Sequence, residues 1–153
     1  MSQPSNEQLF ILNYCHYLEA MTEILNRRCE RTICFFQFLL GSAVFAQSSY
    51  GWLFGGLVAT CAAITYAWNP GKIAANARKQ AFRYQQLLNE VNNLTSEELQ
   101  QKTELIEQDD SSVCNLLLNP ARCRAYISLG WPCPEKLTTI EKIIATWAGG
   151  IPR

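Results

Sequence analysis

Forty consecutive residues, Thr32 to Gly71, contain no Asp, Glu, Lys or Arg, so all thirteen acidic and thirteen basic residues fall in the rest of the 153-residue chain. Segregation this sharp implies two solvents for one polypeptide. The bulk composition, 48% hydrophobic and 17% charged, hides it. The block reads ICFFQFLLGSAVFAQ, a neutral connector SSYG, then WLFGGLVATCAAITYAW. Spanning the ~30 Å apolar core of a bilayer takes about 20 residues of helix, within a range of about 17 to 25. Each limb is at the short end of that range, and including Thr32 or Tyr50 and Gly51 lengthens it. A soluble helical hairpin would carry a polar face, and neither limb has a charge on any side. The block is therefore predicted to be a two-helix transmembrane hairpin over residues 32–71.

Its flanks set an orientation. Arg27, Arg28 and Arg31 precede it, Lys72, Arg78, Lys79 and Arg83 follow, and the connector Gln47 to Gly51 has no charge. The positive-inside rule then places both termini in the cytosol in a multi-pass arrangement. Tyr50, Trp52, Tyr66 and Trp68 stand at the limb ends, where interfacial aromatics are favoured. The opening MSQPSNEQ has no basic stretch leading into a short apolar core, so no cleavable leader is expected. Seven cysteines, an odd number without a C-x-x-C pair, fit a reducing cytosol better than a disulfide framework. A formal net charge of zero gives no reason to expect direct DNA binding.

The remainder reads as helical, which makes the chain all-α in three parts: an N-terminal amphipathic helix (1–31), the hairpin (32–71) and a cytosolic helical domain (72–153). Leu9, Leu12, Tyr17, Met21 and Leu25 have helical spacing, although His16, Glu19 and Glu23 spoil a clean stripe. Asn69-Pro70-Gly71 interrupts the chain at the membrane exit. A long helix follows from Lys72 to about Asn92, with Ile73, Ala77, Phe82, Tyr84, Leu87, Leu88 and Val91 as its apolar members. Thr95-Ser96-Glu97-Glu98 is an N-cap signature. A further helix is broken or restarted at Pro120 and carries Ala121, Ala125, Tyr126 and Leu129 on its inner side. Gly130 is a C-cap candidate, and Thr138 or Thr139 opens a last helix to Trp147.

Chemistry-bearing motifs are sparse. The one histidine, His16, is poorly placed to activate Cys15 or Cys29 on the same helix, and no metalloprotease, phosphate-loop, nucleophile-elbow or zinc spacing occurs. Glu104, Glu107, Asp109 and Asp110 read as a solvated helix face and turn rather than a metal or acid–base site. No catalytic residue, metal or cofactor is expected, and no enzyme. The hairpin says more. Gly51, Gly55, Ala59, Ala63 and Ala67 recur every four residues, with Gly41 and Ser42 as a flat spot on the first limb. Small residues let helix backbones approach closely in a bilayer, so this ridge either closes the hairpin on itself or packs copies into a homo-oligomer. Gln37, Thr60 and Thr65, polar at membrane depth, are either sheltered by neighbours or line a narrow aqueous path. Arg122 and Arg124 either clamp an anionic ligand or, the preferred reading, pair with the acidic stretch Thr95 to Asp110.

The layout resembles the SLATT family of bacterial two-transmembrane effectors. The match runs through Arg83-Tyr84, Leu87, Glu90, Leu94, Glu97-Glu98-Leu99, Ile106 with Asp109-Asp110, then Leu117, Ala121, Ala125 and Leu129-Gly130. It covers roughly residues 20 to 130 and leaves out Trp131-Pro132-Cys133-Pro134. The resemblance implies an inner-membrane effector of antiphage defence that permeabilises the bilayer, with lipid, further copies and a defence-system protein as partners. Small membrane effectors of type III CRISPR systems have a similar layout and bind a cyclic oligonucleotide. On that version Arg122 or Arg124 would contact the ligand. The competing expectation is a passive membrane anchor or adaptor whose helical tail docks a partner protein.

Overall fold

The computed structural model describes residues 3–45 and 50–152. Every regular element in them is helical: α1 (Asn6–Phe45), α2 (Gly51–Trp68), α3 (Pro70–Glu90), α4 (Ser96–Glu107), α5 (Leu118–Ser128) and α6 (Thr139–Trp147). Single 3-10 turns occupy Val91–Asn93 and Asn115–Leu117. The all-α expectation holds for these residues. Two compact units divide the chain, one made of Met1–Leu25 with Ile73–Arg153, the other of Asn26–Lys72. This differs from the expected three-way division, because residues 1–25 belong with the C-terminal helices.

In the first unit α1 is buried on two sides, which explains the blurred stripe in its sequence. Met21, with Tyr14, Tyr17, Leu18 and Leu25 around it, packs with Leu117, Ala121, Ala145, Ala148 and Ile144. Leu12 and Cys15 belong to a second cluster with Tyr84, Leu87 and Leu99. Two apolar faces leave little of the helix for solvent, so a single-face test misreads it. Glu19 and Thr22 are buried there as well.

Local chemistry fixes most helix ends. Asn69 adopts the left-handed conformation (φ 49°) and its N–H bonds the Thr65 carbonyl, ending α2, after which Pro70 opens α3. Proline suits that position because its missing N–H would have had no helical partner. The Glu30 carboxylate fills the space a Cβ on Gly71 would need. Thr95 and Thr138 each head a full capping box, with Glu98 and Glu141 respectively. Gly130, at φ 75°, closes α5, and the Trp131 amide reaches back to the Tyr126 carbonyl at 2.9 Å. Trp131 then lies 6.3 Å from the Phe10 ring and 6.1 Å from that of Tyr126.

Several expectations need correction. The helix that begins near Ser5 does not stop at Arg31 but continues to Phe45. Pro120 does not break a helix. It sits in the first turn of α5, where no N–H is needed. Phe82 points outward, since the buried face of α3 runs through Ala74, Ala77, Gln80, Ala81, Tyr84 and Leu87. Two residues from Tyr84, it lies across the helix from it. Leu105 on α4 is also exposed. One cysteine pair, Cys123 and Cys133, is joined in a disulfide across a Cα separation of 5.0 Å. The Gly130 turn returns the chain to α5, an event that cysteine spacing does not reveal. The Glu135 carbonyl lies 3.8 and 3.4 Å from the two sulfurs.

The α6 cap yields a first prediction. Glu141 is buried, accepts from the Thr138 amide and hydroxyl at 2.7 and 2.9 Å, and ties α5 through Asn119 Nδ2 at 2.7 Å. Thr138→Ala should cost about 1–2 kcal/mol and Thr95→Ala, at a solvent-facing cap, about 0.5–1 kcal/mol. Thermal melts of the detergent-solubilised chain would rank the two. Equal costs would mean that the Asn119 link does not depend on the cap.

Candidate functional site

The second unit holds the charge-free block. Of the residues described, one helical window is long and apolar enough to cross a membrane, and none of it is buried. That window falls on α2, eighteen residues without a single buried side chain. Along α1 the charge-free run is described from Thr32 to Phe45, about 21 Å of helix at 1.5 Å per residue. The expected connector, from Gln47, lies mostly outside the described residues. Aromatic and aliphatic side chains on both helices face outward, with Phe38 and Trp52 each 77% exposed and Tyr66 90%. So large an apolar surface marks an interaction with something beyond the folded monomer.

Beyond its first member, the small-residue ridge does not lie on the sheltered side of α2. Gly51, Phe54, Val58, Cys61 and Thr65 are the partly covered positions, while Gly55, Ala59 and Ala63 are exposed. A Cβ added at Gly41, Gly51 or Gly55 would meet no atom within 4 Å. The space beside these three glycines is open among the described residues. The covered face follows the 3.6-residue helical period. A strict four-residue repeat drifts by about 40° at each step, so the ridge winds away from that face. Ser42 is likewise exposed, its hydroxyl bonding the Phe38 carbonyl at 2.9 Å.

Gln37 and Thr65 come together. They line one open cleft of about 740 Å3 with Ala62, Tyr66, Ala67 and Asn69. Thr60 is not among its lining residues, and its hydroxyl is spent on the Gly56 carbonyl at 2.9 Å. Thr65 donates its own to the Cys61 carbonyl at the same distance, which leaves its oxygen free to accept.

In the first unit the acidic turn after α4 is clasped rather than simply solvated. Gln80 Nε2 donates to the Asp109 carbonyl at 2.7 Å, and Asn76 Nδ2 to that carbonyl and to Ser111 Oγ at 3.0 Å each. Arg83 pairs with the Asp109 carboxylate at 2.9 Å, and the Tyr84 hydroxyl donates to Asp110 at 2.9 and 3.0 Å. From α1, Glu19 Oε1 accepts the Ser111 amide at 2.8 Å. Arg83-Tyr84 and Asp109-Asp110, two of the pairs that carry the family resemblance, thus meet. No periodicity in the sequence announced this, because the contacts join residues 26 positions apart.

Burial governs the titration of this seam. It pushes the Cys15 thiol up to about 12, with Glu107 and Asp110 adding to the shift, so Cys15 is a packed, unreactive thiol. His16 is held below its usual value by burial, and its Nδ1 lies 3.0 Å from the Ala81 carbonyl. A carbonyl only accepts, so Nδ1 carries the proton. Desolvation raises Glu19, the Ser111 amide partly opposing it, and its Oε2 has no hydrogen-bond partner among the described residues. A raised carboxyl favours the protonated fold. Its stabilisation is complete below the ordinary glutamate value and is lost as pH rises through the raised one. Glu19→Gln should remove that slope: as pH rises above the ordinary glutamate value, the melting temperature of the parent falls relative to the variant. A constant difference would show that Glu19 does not titrate in this range.

The two arginines have separate partners. Arg122 pairs with Glu135 at 3.0 Å, and Arg124 donates to the Gly150 carbonyl at 2.7 Å. Neither meets the acidic stretch 95–110 as preferred from sequence, where Arg83 takes the role instead. Two positions apart on α5, the side chains leave different faces of the helix. Arg124 lines a cleft of about 320 Å3 with Tyr17, Ile127, Ser128, Gly149, Ile151 and Pro152. Among the described residues, no group of three or more His, Cys, Asp or Glu could hold a metal ion. The chain matches no family profile, no curated protein and no solved structure.

Proposed function

We propose that this chain is a homo-oligomeric effector of the bacterial inner membrane, of the SLATT kind, which permeabilises or depolarises that membrane in antiphage defence when triggered. On this reading α1 from Thr32 and α2 form the transmembrane hairpin, with both termini cytosolic. The observation that carries it is the ridge of α2: Gly55, Ala59 and Ala63 are exposed, and the space beside Gly55 is open. In a bilayer, where lipid already solvates apolar side chains, such a ridge is most useful to another backbone. Once several hairpins assemble on it, the cleft shared by Gln37 and Thr65 supplies polar groups for a water-filled path. The clasp of Arg83 and Tyr84 on Asp109 and Asp110 is the element a trigger would shift, since it couples α3 to the turn after α4 through contacts that can exchange. The trigger is a cyclic nucleotide or a defence-system protein.

The test is membrane potential in bacteria expressing the chain, with and without phage or a cyclic-nucleotide-producing partner. Depolarisation is expected with the parent. Gly55→Leu should reach the membrane in equal amount, because its side chain meets nothing in the monomer, yet lose most of the depolarisation. A variant as active as the parent would rule out the ridge. A polarised membrane under every condition would instead favour the anchor or adaptor, whose tail docks a partner protein.

A further inference from the structure

The last helix presents an apolar face to solvent. α6 buries Glu141 and Ala145, its C-cap Ala148 is buried as well, and Ile144 is partly covered. Ile140 and Ile143, 61% and 60% exposed, lie on the opposite side with Trp147, and Ile151 follows just past the helix end. Ile140, Ile143 and Trp147, spaced by three and four residues, form one stripe. The exposed charge around it is net positive. Lys136 and Lys142 are exposed, whereas Glu141 is turned inward to the Thr138 cap and Asn119, and Glu135 is paired with Arg122. A Trp-bearing apolar stripe bordered by lysines is complementary to an anionic lipid surface.

We infer that the outer face of α6 rests on the anionic surface of the membrane that the chain spans. This rests on the membrane reading proposed above. A nine-residue helix alone would bind lipid weakly, but a hairpin in the same chain makes the contact intramolecular and so raises its effective concentration. The lysines select the negatively charged leaflet, and the isoleucines enter the headgroup boundary. A soluble protein partner would not require a net positive border.

The full chain, with Trp52→Phe, Trp68→Phe and Trp131→Phe so that Trp147 is the sole reporter, is reconstituted into vesicles whose lipids are brominated high on the acyl chain. In phosphatidylglycerol-rich vesicles Trp147 emission should fall about two-fold relative to unbrominated vesicles, and much less in phosphatidylcholine. Lys142→Glu, a change on a solvent-facing side chain, should remove about half of that quenching or more. Chain that floats with the vesicles but shows no quenching overturns the inference while leaving the membrane reading intact. Emission that changes with protein density rather than bromination would assign the face to a second copy and also overturn it. Chain that fails to float removes both readings.

Discussion

Ala59→Arg is expected to shift the chain from the membrane fraction to the soluble or aggregated one. Ala59 is exposed and near the middle of α2, Gly51–Trp68. Arginine at the centre of a spanning helix costs about 2.5–3.5 kcal/mol on insertion scales, roughly a hundred-fold in partitioning. α2 has little surplus against this cost, because its eighteen residues sit near the short end of the spanning range and include four polar or glycine positions in its first ten: Gly51, Gly55, Gly56 and Thr60. Ala59→Leu is the control and should stay in the membrane fraction. If the exposed face of α2 met water instead, arginine there would be almost neutral, as surface changes within about 0.5 kcal/mol are. Parent-like fractionation of Ala59→Arg would support that alternative.

Tyr84→Ala is expected to be the most damaging single change in the first unit. Tyr84 is fully buried, packs with Leu12, Leu87 and Leu99, and bonds Asp110 through its hydroxyl. Removing a buried aromatic costs about 3–5 kcal/mol. Tyr84→Phe keeps the packing and removes only a hydrogen bond to a charged group, about 1.5–3 kcal/mol. The low end is expected, because Asp110 keeps contact with water. Denaturant unfolding in detergent would separate the two. A Phe variant as unstable as the Ala variant would assign the whole effect to the clasp rather than to the core.

Features set by a few adjacent residues were legible in the sequence. The capping boxes at Thr95 and Thr138, the stop at Asn69-Pro70 and the turn at Gly130 each follow from neighbours within four positions. Charge segregation marked the second unit for the same reason, since it is a property of a continuous stretch. Partners far along the chain were not legible. Ser111 meets Glu19 and Arg83 meets Asp109 only because the helices bring them together, and Cys133 meets Cys123 only because the turn at Gly130 returns the chain to α5. The double burial of α1 defeated a test that looks for one apolar stripe. Four-residue spacing identified the small ridge on α2 but could not say which side of the helix would be covered.

The most direct measurement is the reactivity of Ser49→Cys, in a chain whose other cysteines are serine, toward a membrane-impermeant maleimide added to cells with a permeabilised outer membrane and an intact inner one. Two spans with cytosolic termini predict labelling in those cells, while the same chain carrying Ser128→Cys instead is labelled only after the inner membrane is broken. Labelling of both positions only after that membrane is broken would contradict a hairpin that crosses it.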